Sequence, residues 1–145
     1  MPRRPPDAQI YYLDANLDGP VLVARLREAG IRCEAHRDHF APDAADESWI
    51  PPITSRGWVI VTRDFAIQRR PTERAAWTAA RATVVMLRGD KLSAEDMATA
   101  MIAAHAGGRL DTFITKRLAP MIIYLSPDGR FRIHFGGERR GSRSR

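Results

Sequence analysis

Four acidic residues carry the first chemical signal in this sequence. Asp14 follows the apolar run Ile10-Tyr11-Tyr12-Leu13. Asp64 follows Gly57-Trp58-Val59-Ile60-Val61-Thr62-Arg63, and Asp46 and Glu47 open a segment containing Trp49, Ile50 and Ile53. Uncharged runs rich in aromatic and β-branched residues read as buried strands of a parallel sheet. Open α/β sheets bind ligands at the carboxyl ends of their strands, where Asp14 and Asp64 fall. Carboxylates gathered there repel one another, and a hard cation such as Mg²⁺ or Mn²⁺ relieves that repulsion. Such an ion activates water and stabilises charge on a phosphodiester.

Each acid also has an ordinary structural role. Asp14 suits a turn, Asp46 an N-cap, Glu47 the first turn of a helix, and Asp64 the end of a strand. The joint pattern favours chemistry, because two separate buried strands end in Asp. A rival transition-metal site could use His36 and His39, but no third ligand is evident. Glu73 reads as a further acid or as a partner of Arg69 or Arg70. His105 and His134 read as surface or packing residues. No P-loop, dinucleotide-binding glycine pattern or Ser/His/Asp order is present.

The elements that must position these acids alternate. Strands are expected at 10–13, 31–36, the Trp58–Val61 region, 83–87, 121–125 and 130–135. Helices are expected from Pro20 to Ala29, from Asp46 to Arg56 with Pro51 and Pro52 near its start, from Pro71 to Arg81, after Ser93, and from Leu110 to Leu118. Gly30 and Gly57 end their helices, and Ser93 with Asp96 resembles a capping box. Ser126-Pro127-Asp128-Gly129 predicts a hairpin. In its second strand Phe131, Ile133 and Phe135 would face the core, opposite the polar face of Arg130, Arg132 and His134. The order predicts an α/β fold: a three-layer α/β/α sandwich with a mostly parallel central sheet plus a C-terminal β-hairpin.

The 145 residues suit one domain, expected at 10–135 between a flexible N-terminal tail, 1–9, and a basic flexible C-terminal tail, 136–145. The net charge is +6, and much of it lies in Arg3, Arg4, Arg139, Arg140, Arg143 and Arg145. These tails could follow phosphates or serve only as solvated ends. No apolar run has the length of a membrane span, and no signal peptide is evident, so a cytoplasmic location without membrane association is expected. The single cysteine, Cys33, reads as structural and permits no internal disulfide.

Leu13-Asp14-Ala15-Asn16-Leu17, Asp46-Glu47-Ser48-Trp49-Ile50 and Gly57 to Asp64 together resemble the PIN-like domains. The resemblance is closest to the compact VapC-type toxins and covers roughly residues 10–90. It implies a Mg²⁺- or Mn²⁺-dependent endoribonuclease, the toxin of a toxin–antitoxin pair. A cognate antitoxin, an RNA substrate and a homodimer are the implied partners. Asp14 and Asp64 match metal-binding acids, and the middle acid maps to Asp46 or Glu47. Asn16 and Thr62 match polar positions that orient the acids, and Glu73 is what the sequence offers for a fourth acid. Arg63 would help draw in RNA. The alternative is a non-catalytic PIN-like module that binds nucleic acid or protein through the hairpin and tails. A receiver-like phosphoacceptor domain ranks last, because no lysine clearly ends a late strand.

Overall fold

The computed structural model describes residues 8–64 and 71–141, without the side chains of Thr72 and Glu73. Among the described residues, six strands form one sheet: β1 (Tyr11–Leu13), β2 (Cys33–Ala35), β3 (Val59–Thr62), β4 (Thr83–Leu87), β5 (Met121–Leu125) and β6 (Phe131–Gly136). Their order is β2-β1-β3-β4-β5-β6. The first five are parallel, and β6 returns antiparallel to β5. The described helices are α1 (Pro20–Glu28), α2 (Asp46–Ser55), α3 (Pro71–Ala79), α4 (Ala94–His105) and α5 (Arg109–Thr115).

Successive strand residues point to opposite faces, so the sheet supports two cores. Tyr11, Leu13, Val59, Val61, Val85 and Ile123 pack with Leu22 and Leu26 of α1, Met97 and Met101 of α4, and Leu110 of α5. Tyr12, Ile60, Val84, Met86 and Ile122 pack with Trp49, Ile50 and Ile53 of α2 and Trp77 of α3. This is the expected three-layer α/β/α architecture. Burial of whole strands on both faces explains why β3, β4 and β5 read as unbroken apolar runs. Cys33 is buried at the start of β2.

Local chemistry sets the element ends. Pro20 occupies the first turn of α1, where a missing N–H leaves no bond unmade. Gly30 follows that helix at φ +83°, a conformation open to glycine. The capping box is formed: Ser93 Oγ accepts from the Asp96 N–H, and the Asp96 carboxylate accepts from the Ser93 N–H, each at 3.0 Å.

Four expectations change. The strand expected over 31–36 shortens to Cys33–Ala35, because His36–Asp38 curls into a 3₁₀ turn. Asp46 is the first helical residue of α2 rather than its N-cap; Ala45 holds that extended position without a side-chain bond. Pro51 and Pro52 fall inside α2 instead of near its start. An interior proline costs about 3 kcal/mol, which burial of Trp49, Ile50 and Ile53 offsets. Residues 137–140, expected in a free tail, are tied to the chain around the end of α5. Gly137 N–H donates to Pro120 O at 3.0 Å, Leu118 N–H to Glu138 O at 2.7 Å, and Arg140 N–H to Lys116 O at 2.8 Å.

The hairpin holds a further correction. Ile123 pairs with Ile133, whereas its neighbour Ile122 pairs with Phe135. His134 is therefore an extra residue, a β-bulge. The bulge turns Phe135 to the opposite sheet face from Phe131 and Ile133, placing it with Tyr12, Ile60 and Ile122. The three hairpin aromatics and aliphatics do not share one face, and each is only half-buried at this sheet edge.

Candidate functional site

Asp14 directly follows β1 and is 7% exposed. Register brings it beside Thr62, because Leu13 pairs with Val61. The fully buried Thr62 hydroxyl donates to Asp14 Oδ2 at 2.5 Å and accepts from the Asp64 N–H at 3.1 Å. Asn16 donates its backbone N–H to Asp14 Oδ1 at 3.0 Å. One hydroxyl thus fixes the first acid and the backbone that presents the second. Burial pushes the Asp14 carboxyl above its ordinary value. The Thr62 and Asn16 hydrogen bonds oppose that shift, while the Asp64 charge adds to it. The two carboxylates therefore feel each other's charge across the carboxyl edge of β1 and β3. Asp64 is exposed.

Asp18, in the turn between β1 and α1, is a further buried acid. It is 6% exposed and held at both oxygens by Arg37, through the backbone N–H at 2.7 Å and the guanidinium at 3.1 Å. Its signal in sequence was weak, since Asp18-Gly19-Pro20 has the composition of an ordinary turn. Burial, followed by the charges of Asp14 and Asp18, pushes the Tyr12 phenol well above its usual range. The Tyr12 hydroxyl stays protonated and donates to His36 Nδ1, while His36 Nε2–H donates to Ala41 O at 2.8 Å. Both ring nitrogens of His36 are thereby used. His39 Nε2 meets Glu34 Oε1 at 2.8 Å. The His36/His39 metal reading is overturned, because these imidazoles serve the packing of β1 and β2.

The remaining candidates divide. Parallel connectivity brings the start of α2, with half-buried Asp46 and exposed Glu47, to the same sheet edge. There both acids complement the N-terminal dipole of α2. Arg63 does not project free toward a substrate: its guanidinium donates to Leu87 O at 3.1 Å and Gly89 O at 2.9 Å, closing the end of β4. Glu73 belongs to α3, but its side chain lies outside the described residues, as do Arg69 and Arg70. Among the described residues, no group of three or more His, Cys, Asp and Glu side chains is placed to hold a metal ion. The geometry joins Asp14 and Asp64 as a pair.

That pair suits a hard cation of the Mg²⁺ type. Such an ion keeps several waters and takes one or two carboxylates with substrate phosphate, so it does not require a full protein cage. The Asp14 oxygens each accept one described hydrogen bond, which leaves lone pairs for an ion.

A buried aspartate just past β1, a second acid two residues past β3 and a parallel sheet between helical layers make an α/β module with paired acids at the carboxyl edge of its sheet. The family model for a PIN-like domain matches residues 10–89, over half of the chain. The chain belongs to the PIN-like domain family. No curated protein and no solved structure matches it. The matched region spans β1 to the end of β4, so α4, α5 and the hairpin lie beyond it. Among the described residues, no helix is long and apolar enough to cross a membrane.

Proposed function

We propose that this PIN-like domain is a Mg²⁺- or Mn²⁺-dependent endoribonuclease, the toxin of a VapBC-type toxin–antitoxin pair acting in the cytoplasm. One observation carries the reading: the buried Asp14 carboxylate is fixed by Thr62, whose hydroxyl also accepts from the Asp64 backbone. A bound cation would be held by Asp14 and Asp64, and it supplies Lewis-acid stabilisation and an activated water for phosphodiester hydrolysis. Thr62 and the Asn16 N–H orient Asp14. Asp46 and Glu47, at the same edge, remain the proposed sources of a further acid, with Glu73 the proposed fourth. A cognate antitoxin and a second copy of the chain are the proposed partners.

Calorimetric titration of Mn²⁺ into the parent chain and into Asp14→Asn/Asp64→Asn tests this. Binding in the parent and none in the double variant is expected, together with metal-dependent cleavage of RNA by the parent alone. Equal binding by both chains would remove the carboxylate pair from the site.

A second reading is a module that binds nucleic acid or protein without cutting. It is favoured by the absence, among the described residues, of a three-member metal-ligand group. In that case RNA remains intact with Mn²⁺ present, and EDTA leaves partner binding unchanged.

A further inference from the structure

The hairpin beyond the matched region carries a cluster of a different kind. The Tyr124 ring, near the carboxyl end of β5, stacks on His134 with centroids 4.1 Å apart and planes 8° from parallel. Arg88, one residue past β4, places its guanidinium carbon 4.6 Å from the centre of that ring, and Arg132 of β6 does so at 5.4 Å. Arg74 of α3 lies 4.2 Å over Phe135. The bulge brings these groups onto one face, because it adds His134 and turns Phe135 toward Arg132. Among the described residues, no carboxylate forms an ion pair with Arg74, Arg88 or Arg132.

The electrostatics agree with this composition. Partial desolvation, followed by the charges of Arg74, Arg132 and Arg88, holds the His134 imidazole below its usual value. At neutral pH the ring is an uncharged aromatic plate amid three cations. Tyr124 is covered, but His134 and Arg132 are exposed.

We propose that this hairpin face is a platform for single-stranded nucleic acid, with phosphates held by Arg88 and Arg132 and a base resting on the outer face of His134. Stacking on aromatic side chains beside cationic groups is how proteins grip single strands without reading sequence. A cationic face without carboxylate partners among the described residues complements a polyanion. Its position also serves the acids. Arg88 follows β4 and Arg132 pairs with Tyr124, so both mark the sheet edge that carries Asp14 and Asp64. From β3 to β6 is three strand spacings, about 14 Å, a reach of a few nucleotides. The inference rests on the nuclease reading only in taking the bound strand to be the substrate.

The test is fluorescence anisotropy of a labelled oligouridylate with the full chain in EDTA, where no cleavage competes. Arg132→Glu should weaken binding about tenfold at 0.1 M salt and lower the salt slope by about 0.7, the contribution of one phosphate contact on a single strand. The charge-matched control is Arg32→Glu, exposed just before β2 at the opposite sheet edge, and it should change affinity less than about twofold. His134→Ala should remove the preference for oligouridylate over an abasic chain of equal length, leaving the salt slope unchanged.

Equal losses from Arg132→Glu and Arg32→Glu, or full affinity in Arg132→Glu, would overturn the proposal. Displacement of the oligomer by polyglutamate as effectively as by unlabelled oligouridylate would assign the patch to an acidic protein and also overturn it. Binding in EDTA is independent of the Mn²⁺ titration, so failure of the nuclease reading and failure of this platform are distinguishable.

Discussion

Replacing Thr62 by Val removes the hydroxyl between the two acids while nearly preserving side-chain shape. Thr62 is fully buried, so no solvent replaces the lost bond to Asp14 Oδ2. A hydrogen bond to a charged group contributes about 1.5–3 kcal/mol, and the exposed Asp64 segment can recover its N–H bond from water. A loss of about 2 kcal/mol at pH 7 is therefore expected, a fall of about 1 M in the urea midpoint.

The pH dependence fixes the cause. Asp14 already titrates above its ordinary value, so the native state holds this proton more tightly than the unfolded chain. Stability consequently falls as pH rises from the ordinary carboxylate value through the raised one. Thr62→Val removes an influence that lowers the native value, which widens that window. The deficit of the variant should grow across the window and level off above it. Below the ordinary value Asp14 is protonated in both states, and the charge-dependent part of the deficit vanishes. Thr62→Ser keeps the hydroxyl and loses one buried methyl, about 0.8 kcal/mol. Urea unfolding of all three chains at pH 3 and pH 7 is the assay. A parental midpoint for Thr62→Val at pH 7, an equal loss in Thr62→Ser, or a Val deficit identical at both pH values would refute the reasoning.

Three other outcomes are expected. Tyr11→Phe should cost about 1–3 kcal/mol by chemical denaturation, because Tyr11 donates to the buried Asp111 at 2.6 Å and no water can replace it there. Gly129→Ala should lower the thermal midpoint by several degrees, the effect of roughly 1–2 kcal/mol or more. Gly129 has φ +89°, and an added Cβ would fall 2.5 Å from Ala103 Cβ. Of Asp46→Asn and Glu47→Gln, the variant that removes the proposed further acid should weaken Mn²⁺ binding several-fold in calorimetry and the other should leave it near the parent, because a hard cation takes only a few carboxylates.

The strands that position Asp14 and Asp64 were legible because burial on both faces leaves an uninterrupted apolar run, as in Val59–Thr62 and Thr83–Leu87. β2 was overdrawn because three residues give too little pattern to mark where the 3₁₀ turn begins. The paired prolines of α2 suggested a helix start because their cost is local, whereas the burial that offsets it depends on the assembled core. Asp14 and Asp64 could be placed from their positions after strands. The Thr62 bridge was legible only as a polar position suggested by family resemblance, since its partners depend on register. Asp18 and the Tyr11–Asp111–His105 contacts join residues distant in sequence, with His105 Nε2 3.0 Å from Asp111 Oδ2, and no local spacing announces them. The bulge was hidden for a related reason. Arg130, Arg132 and His134 alternate without interruption, and the skipped pairing appears only opposite Ile122 and Ile123.

The two borders of the sheet also constrain self-association. At one border β2 offers only three residues, and at the other β6 is bulged at His134 and bears an exposed arginine. Short, bulged or cationic borders are poor templates for another strand. A continuous sheet running from one copy into the next is therefore disfavoured, and a homodimer would have to join through helical or loop surfaces. The same borders guard against open-ended, fibre-like growth.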